Sequence, residues 1–218
     1  MKTAVVIGAG KGMGNAIARH FAREGFGIVL VARRKEPLES SVAEFAKEGF
    51  EATYEIADAS EATSLTEAME RITSRMGVPD VLVYNAAFMT GGKASELTPE
   101  EMIAHFKTDV VGAQVAAKCV IPAMKARKSG AILFTGGLFG VHPYANADFA
   151  CMSMDKAALR THALMLNNEL KNAGIFVGIV NIMGVVGSEE RLLPDNVAEA
   201  YWKLYSQQTN FEICYPSV

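Results

Sequence analysis

The sequence predicts a single α/β domain, one doubly wound parallel sheet with helices on both faces. Three observations predict it. A glycine-rich turn, Gly8-Ala9-Gly10-Lys11-Gly12-Met13-Gly14, directly follows the first apolar run and opens a helix. Strand-like and helix-like runs then alternate to the end of the chain, a pattern that packs helices on both faces of a parallel sheet. The 218 residues, 50% of them apolar, suffice for a large core within the size of one domain.

The first strand, Thr3-Ala4-Val5-Val6-Ile7, is rich in β-branched residues that suit a buried pleated strand. A helix over 12–24 follows and Gly25 stops it. The second strand, 27–32, leads to a helix over 36–48 with Pro37 near its start and Gly49 just past its end. A strand over 51–56 and a helix over 60–76 come next, then a strand over 80–84. Pro99 opens one long helix over 99–127, and a strand spans 130–135. A helix over 150–173 is closed by Gly174, a strand fills 175–182, Pro194 precedes a helix over 195–207, and a faint strand lies at 211–215. Ligands of such sheets collect at the carboxyl ends of the strands.

Only Met1-Lys2 precede the first strand, which leaves no room for a secretory signal, and no run approaches the ~18 apolar residues of a membrane span. A cytoplasmic protein with no membrane partner is expected. Cys119, Cys151 and Cys214 are odd in number and lack ligand spacing, which predicts reduced thiols and no metal site. A net charge of −3 with both signs interspersed argues against nucleic acid as a partner.

Glycines between a strand and a helix let the backbone approach a pyrophosphate, which the amides and the helix dipole then hold; a plain strand-to-helix turn is the alternative. The spacing, carried by Gly8, Gly12 and Gly14, is G-x-x-x-G-x-G, and it resembles the short-chain dehydrogenase/reductase family over about residues 3–205. The resemblance implies a Rossmann-like nicotinamide site in which Gly8, Lys11, Gly12, Met13 and Gly14 hold the pyrophosphate. It further implies NADP in preference to NAD. Ala32 stands where an acid would grip the ribose, and Arg33, Arg34 and Lys11 supply cations for a 2′-phosphate. Two arginines on a solvated loop remain the alternative. Asp58 and Ala59 match the adenine-binding position, although Asp58 or Ser60 would serve equally as the cap of the next helix. Asn85, Ala86 and Ala87 fall in the turn behind the ribose, where Tyr84 and Ala87 depart from the family pattern.

The resemblance also implies a catalytic Ser, Tyr and Lys with a helper Asn. Lys156 is present and would hold the nicotinamide ribose, with Gly184 and Val186 near the nicotinamide amide. The tyrosine position is Met152, the serine position Gly137 and the asparagine position Asp109, and the tyrosine position of enoyl-reducing members is Phe149. Gly137 and Met152 offer no side-chain proton, which predicts little turnover of simple ketones. Two readings follow. In the first, the chain binds NADP(H) as a sensor, regulator or partner subunit with the family's catalysis lost. In the second, it is an NADPH-dependent oxidoreductase acting on a small carbonyl-type substrate through a non-standard relay drawn from His142, Tyr144, Cys151 or Tyr84. The apolar residues Met154, Ala158, Leu159, Ala163, Leu164, Met165 and Leu166 on the 150–173 helix predict a homodimer or homotetramer.

Overall fold

The computed structural model describes residues 1–217. Seven strands form the sheet: β1 (Thr3–Ile7), β2 (Gly27–Ala32), β3 (Ala52–Ile56), β4 (Val81–Tyr84), β5 (Gly130–Gly137), β6 (Ile175–Ile182) and β7 (Glu212–Tyr215). The helices between them are α1 (Met13–Arg23), α2 (Lys35–Lys47), α3 (Ala62–Met76), α4 (Pro99–Phe106), α5 (Gly112–Arg127), the short α6 (Leu138–Val141), α7 (Ala150–Leu170) and α8 (Pro194–Gln207). Every strand pairing is parallel, in the order β3-β2-β1-β4-β5-β6-β7. The doubly wound sheet is as expected, and the faint strand at 211–215 is its edge strand β7.

All five residues of β1 are buried, as a parallel strand covered on both faces requires. Ala4 and Val6 point into one core with Ile17, Phe21 and Tyr201, and Val5 and Ile7 into the other with Leu65, Leu159 and Phe134. Each such fully buried aliphatic side chain contributes about 1.5–3 kcal/mol. The order reverses between β1 and β4, which opens a crevice at their carboxyl ends. Backbone bonds hold its lip together, Gly8 N to Val31 O at 2.9 Å and Asn85 N to Ile7 O at 2.8 Å.

Three sequence expectations need correction. The long helix over 99–127 is two helices joined by a π turn, Lys107–Val111, because the Tyr84 hydroxyl donates to the Thr108 carbonyl, a group an uninterrupted α-helix would spend on its own ladder. The helix over 150–173 ends at Leu170 and continues as a single 3-10 turn, Lys171–Ala173. Leu159, Ala163 and Leu166 are buried in the core, so the exposed apolar surface of α7 is Met154, Leu164 and Met165. No helix among the described residues is long and apolar enough to cross a membrane.

Candidate active site

A cleft of about 510 Å³ occupies the crevice. The turn after β1 brings Gly8 and Lys11 to it, β2 delivers Arg33 and Arg34, β3 delivers Asp58 and Ala59, and β4 delivers Asn85, Ala86 and Ala87. The three glycines of the motif have different jobs. Gly8 has φ +87°, and a Cβ on it would lie 2.4 Å from the Ala86 nitrogen; a Cβ on Gly14 would lie 2.4 Å from the Gly8 oxygen. Those two let the turn, α1 and the β4 loop close on one another. A Cβ on Gly12 would meet nothing within 4 Å. Gly12 therefore faces open space at the start of α1, whose first turn has no side-chain cap. Uncapped amides at a helix N-terminus form an anion site, so this cradle fits a dinucleotide pyrophosphate.

Arg33, Arg34 and Lys11 are exposed around the same cleft. Asp58 Oδ1 accepts from the Ser60 amide at 2.9 Å and the Ser60 hydroxyl at 2.7 Å. Burial pushes that carboxyl up, but the Ser60 bonds and Arg33 outweigh it and leave Asp58 below its ordinary value. Neither Asp58 nor Ser60 caps the next helix. Glu61 occupies the N-cap of α3 without a side-chain bond, because Asp58 is spent on its own turn, closed by Glu61 N to Asp58 O at 3.1 Å.

Met13, Gly184, Val186 and Lys156 do not line the cleft. Met13 and Val186 pack against the core, and a Cβ on Gly184 would lie 2.5 Å from Leu192 Cδ1. Lys156 is buried and fixed from two sides: its Nζ donates to the Thr135 carbonyl at 3.1 Å and lies 3.2 Å from Asp109 Oδ1. Asp109, aimed inward by the π turn, accepts the amide of Phe88, a cleft residue, at 2.7 Å. Asn85 donates to the Gly8 carbonyl at 2.9 Å and accepts from Thr135 Oγ1 at 2.9 Å, which ties the glycine turn to β5. Gly137 ends β5 in extended backbone, Met152 is half-buried, and Phe149 stacks on Phe139 with ring centres 5.5 Å apart.

The relay candidates named from sequence do not converge. The buried Tyr84 hydroxyl is bonded to the Thr108 carbonyl, and burial pushes its phenol far above the ordinary range. Cys151 is buried, which raises its thiol. His142 and Tyr144 share an outer loop, where Tyr144 is 83% exposed. The structure instead brings together three residues the sequence reading missed. Thr90 Oγ1 lies 2.6 Å from His105 Nε2, and His105 Nδ1 lies 3.2 Å from Asp155 Oδ2. Burial, reinforced by Asp109 and opposed by Lys156, pushes the Asp155 carboxyl up to about 7. Burial lowers the His105 imidazole against the pull of Asp109 and Glu101. A sequence signal existed: Asp155 sits on the same helical stripe as Leu159, Ala163 and Leu166, where an acid is out of place.

The family model described as short chain dehydrogenase matches residues 2–190. Oxidoreductase UcpA of Escherichia coli is 30% identical over 82% of this chain and 67% of its own length. The 2,3-dihydro-2,3-dihydroxybenzoate dehydrogenase of Bacillus subtilis is 30% identical over 97% of this chain and 76% of its own. Among solved structures, a metagenomic short-chain oxidoreductase in complex with NADP superposes with a TM-score of 0.89 at 29% identity, covering 100% of this chain and 98% of that one.

Proposed function

The chain belongs to the short-chain dehydrogenase family, and from that premise we propose that it is an NADP(H)-dependent oxidoreductase acting on a small carbonyl-type substrate without the family's serine and tyrosine. The observation that carries this reading is the buried set Lys156, Asp109, His105 and Asp155 beside the cleft. Buried ionisable groups are costly to a fold, and displaced groups such as His105 and Asp155 gather at functional sites. Gly8, Gly12 and Gly14 would hold the pyrophosphate, Arg33, Arg34 and Lys11 the 2′-phosphate, and Lys156 the nicotinamide ribose. The reduced nicotinamide, when bound, supplies a hydride. The cations and the missing acid at Ala32 support NADP over NAD, as does the NADP held by the metagenomic neighbour.

The second reading, NADP(H) binding without turnover in a sensing, regulatory or partner role, is favoured by Gly137 and Met152. Its expected loss of turnover rests chiefly on those two positions, together with Asp109 in place of the helper asparagine, and the relatives are oxidoreductases and dehydrogenases by name. Fluorescence titration with NADPH and NADH, followed by NADPH oxidation in the presence of benzaldehyde or cyclohexanone, separates the two. Binding with turnover supports the first reading, and binding with none supports the second. The cytoplasmic location and the homodimer or homotetramer belong to the same proposal. Exposed Met102, Ile103 and Phe106 on α4 and Met154, Leu164 and Met165 on α7 support the assembly.

A further inference from the structure

Thr90, His105 and Asp155 stand in a hydrogen-bonded line from solvent into the protein. Thr90 is an exposed residue that follows directly on Met89, a wall of the cleft, and its hydroxyl makes a part-buried bond to His105. His105 and Asp155 are 2% and 3% exposed. Three separate elements converge here. Thr90 comes from the loop after β4, His105 from α4, whose start is fixed by the Thr98–Glu101 capping box, and Asp155 from the second turn of α7. The Phe88 ring covers the imidazole edge-on, with centres 4.7 Å apart. A strut between α4 and α7 needs no hydroxyl at its outer end, and it is made at lower cost by apolar side chains.

Resting on the oxidoreductase reading, we propose that Thr90 is the proton-delivering residue of this site, with His105 and Asp155 as positioning residues that resupply its proton. The reductant is a reduced nicotinamide, whose hydride forms the new C–H bond at the substrate carbonyl carbon while the C=O π pair moves to oxygen. That oxygen takes the Thr90 hydroxyl proton. Thr90 Oγ1 takes the proton of His105 Nε2, and His105 Nδ1 takes the proton of Asp155. The products are an alcohol, an oxidised nicotinamide, neutral His105 in its other tautomer, and an ionised Asp155 that water reprotonates along the same line. A carboxyl that gives up its proton near neutral pH matches this duty. Glu101 and Asp109 act on the imidazole, and Asp109 and Lys156 act on the Asp155 carboxyl, which in turn acts on Cys151.

Two measurements on the full chain test the proposal. Nitrogen NMR of the cofactor-free protein reads the imidazole directly. The expected result is neutral His105 carrying its proton on Nε2 at pH 6, with a shift on titration through about 7 that Asp155→Asn removes. A proton on Nδ1 beside an Asp155 ionised throughout overturns the relay. In NADPH-dependent reduction of benzaldehyde and cyclohexanone, Thr90→Val and His105→Gln should each lower kcat by about 10²–10⁴-fold. Thr90→Ser, which keeps the hydroxyl, should recover most of the turnover that Thr90→Val loses, and NADPH affinity should stay within a few-fold in all three variants. Thr90 is exposed on a loop, so its replacement leaves the core intact. Turnover that survives both Thr90→Val and His105→Gln overturns the relay and leaves the oxidoreductase reading standing. No turnover by the unmodified chain overturns both.

Discussion

Asp109 Oδ1 lies 3.2 Å from Lys156 Nζ while its second oxygen accepts the Phe88 amide at 2.7 Å, so one carboxylate holds both the buried lysine and the cleft-lining loop. The family's lysine works by lending positive charge to a neighbouring tyrosine, and a carboxylate at this distance cancels most of that field. On the proposed placement of the family's serine at Gly137 and tyrosine at Met152, supplying those two donors alone is therefore an incomplete repair.

Gly137→Ser with Met152→Tyr should give some family-type reduction, and adding Asp109→Asn should raise it further. A serine fits at 137, where a Cβ would come no closer than 3.7 Å to the Ile182 oxygen. Freeing the lysine should lower the new tyrosine's pKa by one unit or more, which corresponds to roughly tenfold in rate at neutral pH. Comparing kcat/KM of the double and triple variants in a His105→Gln background checks this, and equal values would refute the role given to Asp109.

NADPH should bind more tightly than NADH, and Arg33→Asp should erase or invert the difference. A guanidinium on a phosphate is worth about 1.5–3 kcal/mol, or roughly 10–100-fold in Kd. Fluorescence titration reads the ratio directly. Equal affinities in the unmodified chain would reject the assignment of the cation cluster.

The motif glycines should separate on substitution. Gly12→Ala places its methyl in open space, so the melting temperature should stay unchanged while NADPH binding weakens by tenfold or more. Gly8→Ala forces a side chain into φ +87° and against the Ala86 backbone, and should unfold or severely destabilise the protein. A Gly12→Ala chain that binds NADPH normally would remove this glycine from the pyrophosphate site.

Much of this is local in sequence and was legible there. Thr3–Ile7 reads as a doubly buried parallel strand because each residue must face one core or the other, and the glycine turn, Arg33, Arg34, Asp58 and Asn85 all sit within a few residues of a strand end. The π turn was not legible. Nothing in Phe106-Lys107-Thr108-Asp109 breaks a helical pattern, and its cause is a hydroxyl 24 residues earlier in the chain. The His105–Asp155 contact likewise joins residues 50 apart, so only packing could bring them together. His142 and Tyr144, the relay candidates that the sequence offers on a loop, fall on an outer loop away from these groups.

The edge strand supplies a test in stability. Glu212 on β7 receives both Arg160 Nε and Nη2 from α7 at 2.7 Å, and Asn181 Nδ2 from β6 at 3.0 Å. The Arg160 fork holds the Glu212 carboxyl below its ordinary value against the upward push of burial, and Asn181 adds to the effect. A carboxyl whose folded pKa is lowered stabilises the fold above its unfolded value of about 4.3, and that contribution disappears as pH falls through the folded value. Glu212→Gln should therefore cost on the order of 1 kcal/mol at neutral pH, a figure kept small because the pair is partly exposed, or about 2–4 °C in Tm. The gap should start to close as pH falls below the unfolded value of about 4.3 and vanish below the lowered folded value, where the unmodified Glu212 is itself protonated. Thermal melts at pH 7 and near pH 3 measure the gap. A gap of constant size across that range would mean that packing, and not the ion pair, ties β7 to the rest of the sheet.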